Sequence, residues 1–136
     1  MSLVTPTRAE RRLLSLLVGE DCALRLFVND HTPSREDAPE DLVELRGRFG
    51  YRAKTLSVDL WSVVEGSEGE PSFAAYEKQV FEFNSVPIDP IYGYYVQTIA
   101  DGVVLWAERF PDGPYVIKIA GGRVNIWPRI ELSPGQ

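Results

Sequence analysis

One cysteine and one histidine occur in 136 residues, and each scarcity removes a class of function. A lone Cys22 leaves no partner for an intramolecular disulfide, so a disulfide-stapled secreted domain is not expected, and one thiol cannot form a thiolate cluster. Cys22 opens an apolar run and reads as a buried, inert thiol. A lone His31 cannot build a multi-histidine metal centre. No Gly-x-Ser-x-Gly or related nucleophile motif surrounds any serine. No apolar run approaches the length of a membrane span. Arg8, Arg11 and Arg12 precede Leu13-Leu14-Ser15-Leu16-Leu17-Val18 in the manner of a secretory leader. That apolar stretch is too short, and no small-residue cleavage site follows it. Basic residues are also in deficit: 14 against 20 acidic, a net charge of -6. A surface of that sign does not suit general nucleic-acid binding and favours solubility. The expectation is a non-enzymatic chain with no catalytic residues, no cofactor, no metal, no nucleic acid and no membrane.

The hydrophobic fraction of 44% and the charged fraction of 25% are those of an ordinary globular protein. A chain of this length buries enough surface to fold without a staple. Pro6, Thr7 and Glu10 have the spacing of a helix start, Thr7 and Glu10 that of a capping box. Leu13 with Leu17, and Leu14 with Val18, lie four apart on one stripe, and Gly19 is a natural stop. Residues 1–20 are therefore expected to form a helical arm.

Residues 21–136 read as strands. Cys22 to Val28 is the first, followed by a polar, proline-containing loop from Asn29 to Asp41 and a short strand at Leu42 to Leu45. Lys54 to Val64 alternates, with Leu56, Val58, Leu60 and Val64 on one face and Thr55, Ser57, Asp59 and Trp61 on the other. Glu65 to Pro71 is a turn, and Tyr76 to Phe83 a strand with Phe81 and Phe83 on one face. Asp101-Gly102 suits a two-residue type I′ hairpin turn. That register sets Gln97 against Trp106, Tyr94 against Arg109, and Gly93 against Phe110. It implies a Tyr94–Arg109 cation–π pair and an aromatic lying across a strand glycine. A second hairpin turns at Gly121-Gly122, with Ile119 facing Val124 and Ile117 facing Ile126. Val124, Ile126, Ile130 and Leu132 share one face; Arg123, Asn125, Trp127, Arg129 and Glu131 share the other. Pro128 marks a sheet edge or bulge. The fold class expected is all-β, an antiparallel β-sandwich or jelly roll with one N-terminal amphipathic helix.

Three constellations carry possible chemistry. Asp89 with Glu108 has the makings of an acid–base carboxylate pair, although so acidic a chain generates chance pairs. Asp30, Glu36, Asp37, Glu40 and Asp41 supply hard oxygens without EF-hand spacing, and a solvated acidic loop is preferred. Arg46, Arg48, Arg52 and Lys54 would share one strand face, either solvated or docked on an acidic neighbour. The aromatics weigh more. Trp61 and Trp127 lie opposite the aliphatic faces of their strands, and Tyr92, Tyr94, Tyr95 and Trp106 occupy both faces of the first hairpin. They are covered by a second layer, by another subunit, or by stacked sugar rings; interfaces favour Tyr, Trp and Arg.

The series Leu26-Phe27-Val28-Asn29-Asp30…Thr32-Pro33, Phe49-Gly50-Tyr51…Ala53-Lys54-Thr55-Leu56, Tyr92-Gly93-Tyr94-Tyr95-Val96 and Leu105-Trp106-Ala107-Glu108-Arg109-Phe110 resembles a family of small accessory virion structural proteins of tailed phages or prophages. Gly113-Pro114-Tyr115 and Ile126…Pro128…Ile130…Leu132-Ser133 continue the likeness, which spans nearly the whole chain. The sequence departs at Asp30, where asparagine is usual, and in a more charged, proline-rich stretch from Ser34 to Glu44. Those departures bear on loop contacts rather than on the fold. The resemblance implies a decoration or cement-like protein without catalytic residues. It would be assembled in the host bacterial cytoplasm, carried on the virion, and partnered by capsid or tail structural proteins. A small homo-oligomer, a trimer foremost, suits repeated weak contacts. The contact residues expected are Trp61, Tyr92, Tyr94, Trp106, Arg109 and Trp127, with Leu13 and Leu17 of the helix as a second patch. The alternative function is a tail-associated adhesin or glycan-binding module that uses the same aromatics.

Overall fold

A computed structural model describes residues 5–86 and 89–132; Ser133 and the outermost residues of the two segments expected above lie outside it. The described chain is mostly β: nine strands in antiparallel sheets, with one α-helix.

The helix α1 spans Thr7–Leu17. Its N-cap is Pro6 and no side chain caps it, so the capping box expected at Thr7 and Glu10 is not formed. Glu10 turns inward instead and accepts a hydrogen bond from Ser72 Oγ at 2.8 Å, both groups buried. Leu14 and Val18 pack with Ala74, Val63, Ile130 and Leu132.

The four-stranded sheet has the order β2-β1-β6-β7, with β1 at Cys22–Phe27, β2 at Lys54–Leu56, β6 at Gly93–Thr98 and β7 at Val104–Arg109. Its inner face carries Leu24, Leu26, Leu56, Tyr94 and Val96 into the main core. Its outer face carries Phe27 and Tyr95, which are covered by Leu42 of the Asn29–Leu45 loop. The loop's base is closed by Val28 N–H to the Val43 carbonyl and Leu45 N–H to the Leu26 carbonyl. The short strand expected at Leu42 to Leu45 reduces to a single bridge, Phe27 with Glu44.

The remaining strands are β3 (Ser62–Val64), β4 (Ser72–Ala75), β5 (Gln79–Glu82), β8 (Arg123–Ile126) and β9 (Arg129–Leu132), paired as β3-β4-β9 and β5-β8. The chain runs from β4 into β5 and from β8 into β9, so the two pairings form one bent ribbon. Tyr76 N–H to the Pro128 carbonyl holds the bend. Phe81, Phe83, Val124 and Ile126 face the inner side of the four-stranded sheet across the main core.

Three expectations fail for physical reasons. Lys54 to Val64 is not one strand, because a 3-10 turn at Val58–Leu60 interrupts it. There the Ser57 hydroxyl accepts from Asp59 N–H and Asp21 from Val58 N–H. The turn reverses the faces: Val58, Leu60 and Val64 are exposed while Trp61 packs against the core. The first hairpin closes through four residues, not two: Gly102 N–H bonds to the Thr98 carbonyl and Thr98 N–H to the Val103 carbonyl. The register then shifts at Val96/Gln97, leaving Val96 opposite Trp106, Tyr94 opposite Glu108 and Gly93 opposite Arg109. An extra residue, Leu105, is the bulge that a two-residue turn does not anticipate. Finally, Gly121-Gly122 does turn the chain, but β8 pairs with β5, Phe81 opposite Val124 and Gln79 opposite Ile126. Ile117 and Ile119 form no ladder, and Ile119 is exposed. The alternation along residues 123–132 holds, with Pro128 separating β8 from β9.

Gly93 is covered as expected, though by a different ring. A Cβ there would fall 2.5 Å from the Phe27 ring and closer still to the Glu108 carbonyl oxygen, so the position is confined to glycine.

Candidate functional site

The eight expected contact residues separate by depth. Trp61 is half-buried and stacks edge-on against Tyr76 at 5.1 Å and Trp106 at 5.9 Å. These two tryptophans bridge the main core and the cluster beneath the helix. Tyr94 is 4% exposed, and its hydroxyl donates to Glu108 Oε2 at 3.0 Å. Its place on the inner face corrects the expectation of an outward contact ring. Tyr92 is half-buried against the Phe27 cluster. The Arg109 guanidinium lies 5.2 Å from the Tyr92 ring, not over Tyr94, and pairs with Asp30 at 2.6 Å. The register shift accounts for that change of partner. Arg109 thus clamps the Asn29–Leu45 loop to β7. Leu17 is half-buried. Only Trp127, 63% exposed, and Leu13, 53% exposed, remain largely open.

The loop's carboxylates serve its own geometry. Asp37 accepts from Ser34 N–H at 2.9 Å and meets His31 Nε2 at 2.8 Å, which holds its carboxyl below the usual value. Asp41 accepts from Ala38 N–H, and Asn29 staples the base through the Asp41 carbonyl and Val43 N–H. Glu44 receives Arg25 through both oxygens at 3.0 Å and the Tyr51 hydroxyl at 2.7 Å. Burial, then the bond to Glu44, drives the Tyr51 phenol upward. Among the described residues no group of three or more His, Cys, Asp or Glu side chains could hold a metal ion. Burial first, then Glu20 and Asp21, raises the Cys22 thiol, so the sulfur stays protonated.

Arg46, Arg48, Arg52 and Lys54 do not share a strand face. Phe49 and Gly50, at φ 59° and 86°, turn the chain among them. Arg48 lies over Phe49 at 4.8 Å and Lys54 over Phe81 at 5.5 Å.

A groove of about 540 Å³ lies between the end of β7 and the end of β8. Phe110 and Tyr115 stack at 4.5 Å along one wall, with Tyr94 6.2 Å from Phe110. Asn125, Ile126 and Trp127 complete the lining. The Ile91–Tyr115 bridge fixes Tyr115 beside the entry to β6. Two carboxylates line the groove, each oriented by a phenol: Tyr94 donates to Glu108, and Tyr115 donates to Asp112 Oδ1 at 2.7 Å. The bond to Asp112 pushes the Tyr115 phenol up to about 12. Burial, then the Glu108 charge, pushes Tyr94 up as well. Both hydroxyls therefore remain fixed donors at neutral pH. Asp89 does not line this groove, where Glu108 is accompanied by Asp112. Sequence reasoning did not single out Asp112, Asn125 or Tyr115 as site residues. The Pro111-Asp112-Gly113-Pro114 run, a dense turn signal just before an aromatic, was the cue available.

The helix supplies the second feature. Ala9, Leu13 and Leu16 follow one another at four and three residues and so share a stripe beside the buried one. Leu13 is 53% and Leu16 70% exposed. No helix among the described residues is long and apolar enough to cross a membrane. No protein-family model matches the chain, and comparisons with curated proteins and with solved structures returned no significant match.

Proposed function

We propose that the chain is a β-sandwich virion structural protein of a tailed phage, most simply a capsid-decorating or cement protein that acts through protein–protein contact. The observation that carries this reading is the double-sided apolarity of α1. Leu14 and Val18 satisfy the domain beneath, yet Leu13 and Leu16 remain open beside them. A helix needs one apolar stripe to dock on its own domain; a second stripe on the same helix is suited to a second surface. The sequence resemblance supplies the kind of particle. The internal use of Trp61, Tyr94 and Trp106 moves the expected contact surface away from the first hairpin and onto the helix.

The test is the oligomeric state of the full chain by multi-angle light scattering, joined to imaging of virions that carry it. A trimer or other small oligomer is expected, with Leu13→Asp/Leu16→Asp returning it to monomers of unchanged circular dichroism. A chain that stays monomeric at every concentration and is missing from the density of the particle surface would overturn the reading.

A second reading, a glycan-binding module, is favoured by one observation: a mostly exposed tryptophan on the rim of a groove with oriented carboxylates.

A further inference from the structure

The Trp127 groove has a composition that packing alone does not call for. Trp127 is 63% exposed although the residue after it, Pro128, is fully buried and anchors the strand. The Lys78 ammonium lies over one face of its ring at 5.9 Å. The rest of the indole is open to solvent and lines the groove as an apolar surface.

The carboxylates that line the same groove are set up as acceptors. Tyr94 and Tyr115 each occupy one carboxylate oxygen, Oε2 of Glu108 and Oδ1 of Asp112. Among the described residues no hydrogen bond is formed by Glu108 Oε1 or by Asp112 Oδ2, and neither carboxylate is in an ion pair. Each free oxygen keeps lone pairs for a donor from outside, and its direction is fixed by the phenol holding its twin. Asn125, beside Trp127, carries an amide that can donate and accept. The volume of about 540 Å³ falls within the range of small-ligand pockets, roughly 300–1,000 Å³.

A pyranose ring meets both halves of this arrangement. Its axial C–H face is apolar and flat enough to lie on an indole, and its hydroxyls are donors for oriented carboxylate oxygens. Other ligand classes fit less well. An anionic sugar would meet two carboxylates with no basic residue lining the groove. A protein surface covering it would strip water from two charges that lack a partner, which is costly. We propose that the groove between Trp127 and Asp112 is a binding subsite for a neutral pyranose unit of an oligosaccharide. This rests on the glycan-binding reading and not on capsid decoration, so the two can fail separately.

The experiment uses the full chain with three neutral probes, maltohexaose, cellohexaose and chitotetraose. An alginate oligosaccharide serves as the anionic control and a tetra-arginine peptide as the cationic one. Binding is read by tryptophan fluorescence and by saturation-transfer NMR. At least one neutral probe is expected to bind, with contacts mapped to Trp127, little dependence on salt, and no response to alginate. Trp127→Ala should weaken binding about ten-fold or more, and Asp112→Ala several-fold, with circular dichroism and Tm retained. Absence of binding by all three neutral probes overturns the proposal. So does wild-type affinity in the Trp127→Ala protein, or a salt-sensitive response to the arginine peptide alone. A Trp127→Ala protein that changes its oligomeric state, while wild type ignores the sugars, would make the groove a protein contact and also overturn it. Light scattering of the Leu13→Asp/Leu16→Asp protein reports separately on the decoration reading.

Discussion

Trp61 and Trp106 differ from Trp127 in fate, although the sequence presents Trp61 and Trp127 alike, each in an alternating segment facing away from the aliphatic residues. The first two meet edge to face at 5.9 Å and join two core clusters. Trp127 stands at the bend between β8 and β9, mostly in water. An interrupted strand separates the cases. The turn at Val58–Leu60 rotates Trp61 inward, and the bulge at Leu105 sets Trp106 opposite Val96. No such interruption precedes Trp127, so simple alternation delivers it to the surface. Aromatic content thus says little about function until each ring's depth is known.

The contrast is broken most directly by truncation. Trp106→Ala should destabilise the fold by about 3 kcal/mol, as loss of a large core side chain does, measured by urea denaturation. A change near that of a surface site would mean the two tryptophans do not bridge the clusters. Gly93→Ala should cost ~2 kcal/mol, the scale of overpacking, because the new methyl meets the Phe27 ring and the Glu108 carbonyl. The same measurement reads it, and Phe27→Leu in the same chain should recover part of the loss.

Between core and rim stands Glu44. Glu44→Ala strands the Tyr51 hydroxyl and Arg25 together, an expected loss of ~2 kcal/mol. Faster amide exchange should appear in residues 29–45 and not at Trp127.

How much of this was legible in the sequence can be judged from these same elements. Strand β1, the helix stripe through Leu14 and Val18, and the in–out alternation of Val124 to Leu132 were readable, because period and side-chain type alone determine them. Strand partners were not. Alternation says which face a residue takes but not which distant strand lies beside it, and β8 chose Phe81 over the nearby Ile117. Nor was register readable once Leu105 bulged, since one added residue changes every pair beyond it. The groove was half legible. Trp127 stood out, but Asp112 and Tyr115 reach it only through the Ile91–Tyr115 bridge, a long-range pairing.

pH sharpens the comparison from another side. Burial holds the Tyr95 phenol up to about 12, and Tyr115 is held near 12 by its carboxylate. For an acid whose folded pKa is raised, stability is complete below the unfolded phenol value and is lost as pH climbs through the folded one. Tm should therefore hold at neutral pH and fall from about pH 10 upward, read by scanning fluorimetry alongside tyrosinate absorbance. Asp37, lowered chiefly by His31, works in the opposite sense: its contribution is present above the ordinary carboxylate range and is lost as acid brings pH through its depressed value. The smallest effect belongs to Trp127→Ala, within ~0.5 kcal/mol of wild type by urea denaturation. A larger loss would place that ring in the fold rather than at its rim.

The loop across the outer face of the four-stranded sheet is fastened at its roots by Val28, Asn29 and Leu45 and pressed down by Leu42, while Ser34, Arg35 and Glu36 stand clear. A tether pinned at both ends tolerates a change of length in its middle, because doubling a flexible loop adds only ~0.6 kcal/mol of closure entropy. Foreign peptide spliced between Ser34 and Glu36 would ride on the outside of the domain with the sheet beneath undisturbed, which makes this crest a natural graft point for an epitope or an affinity handle.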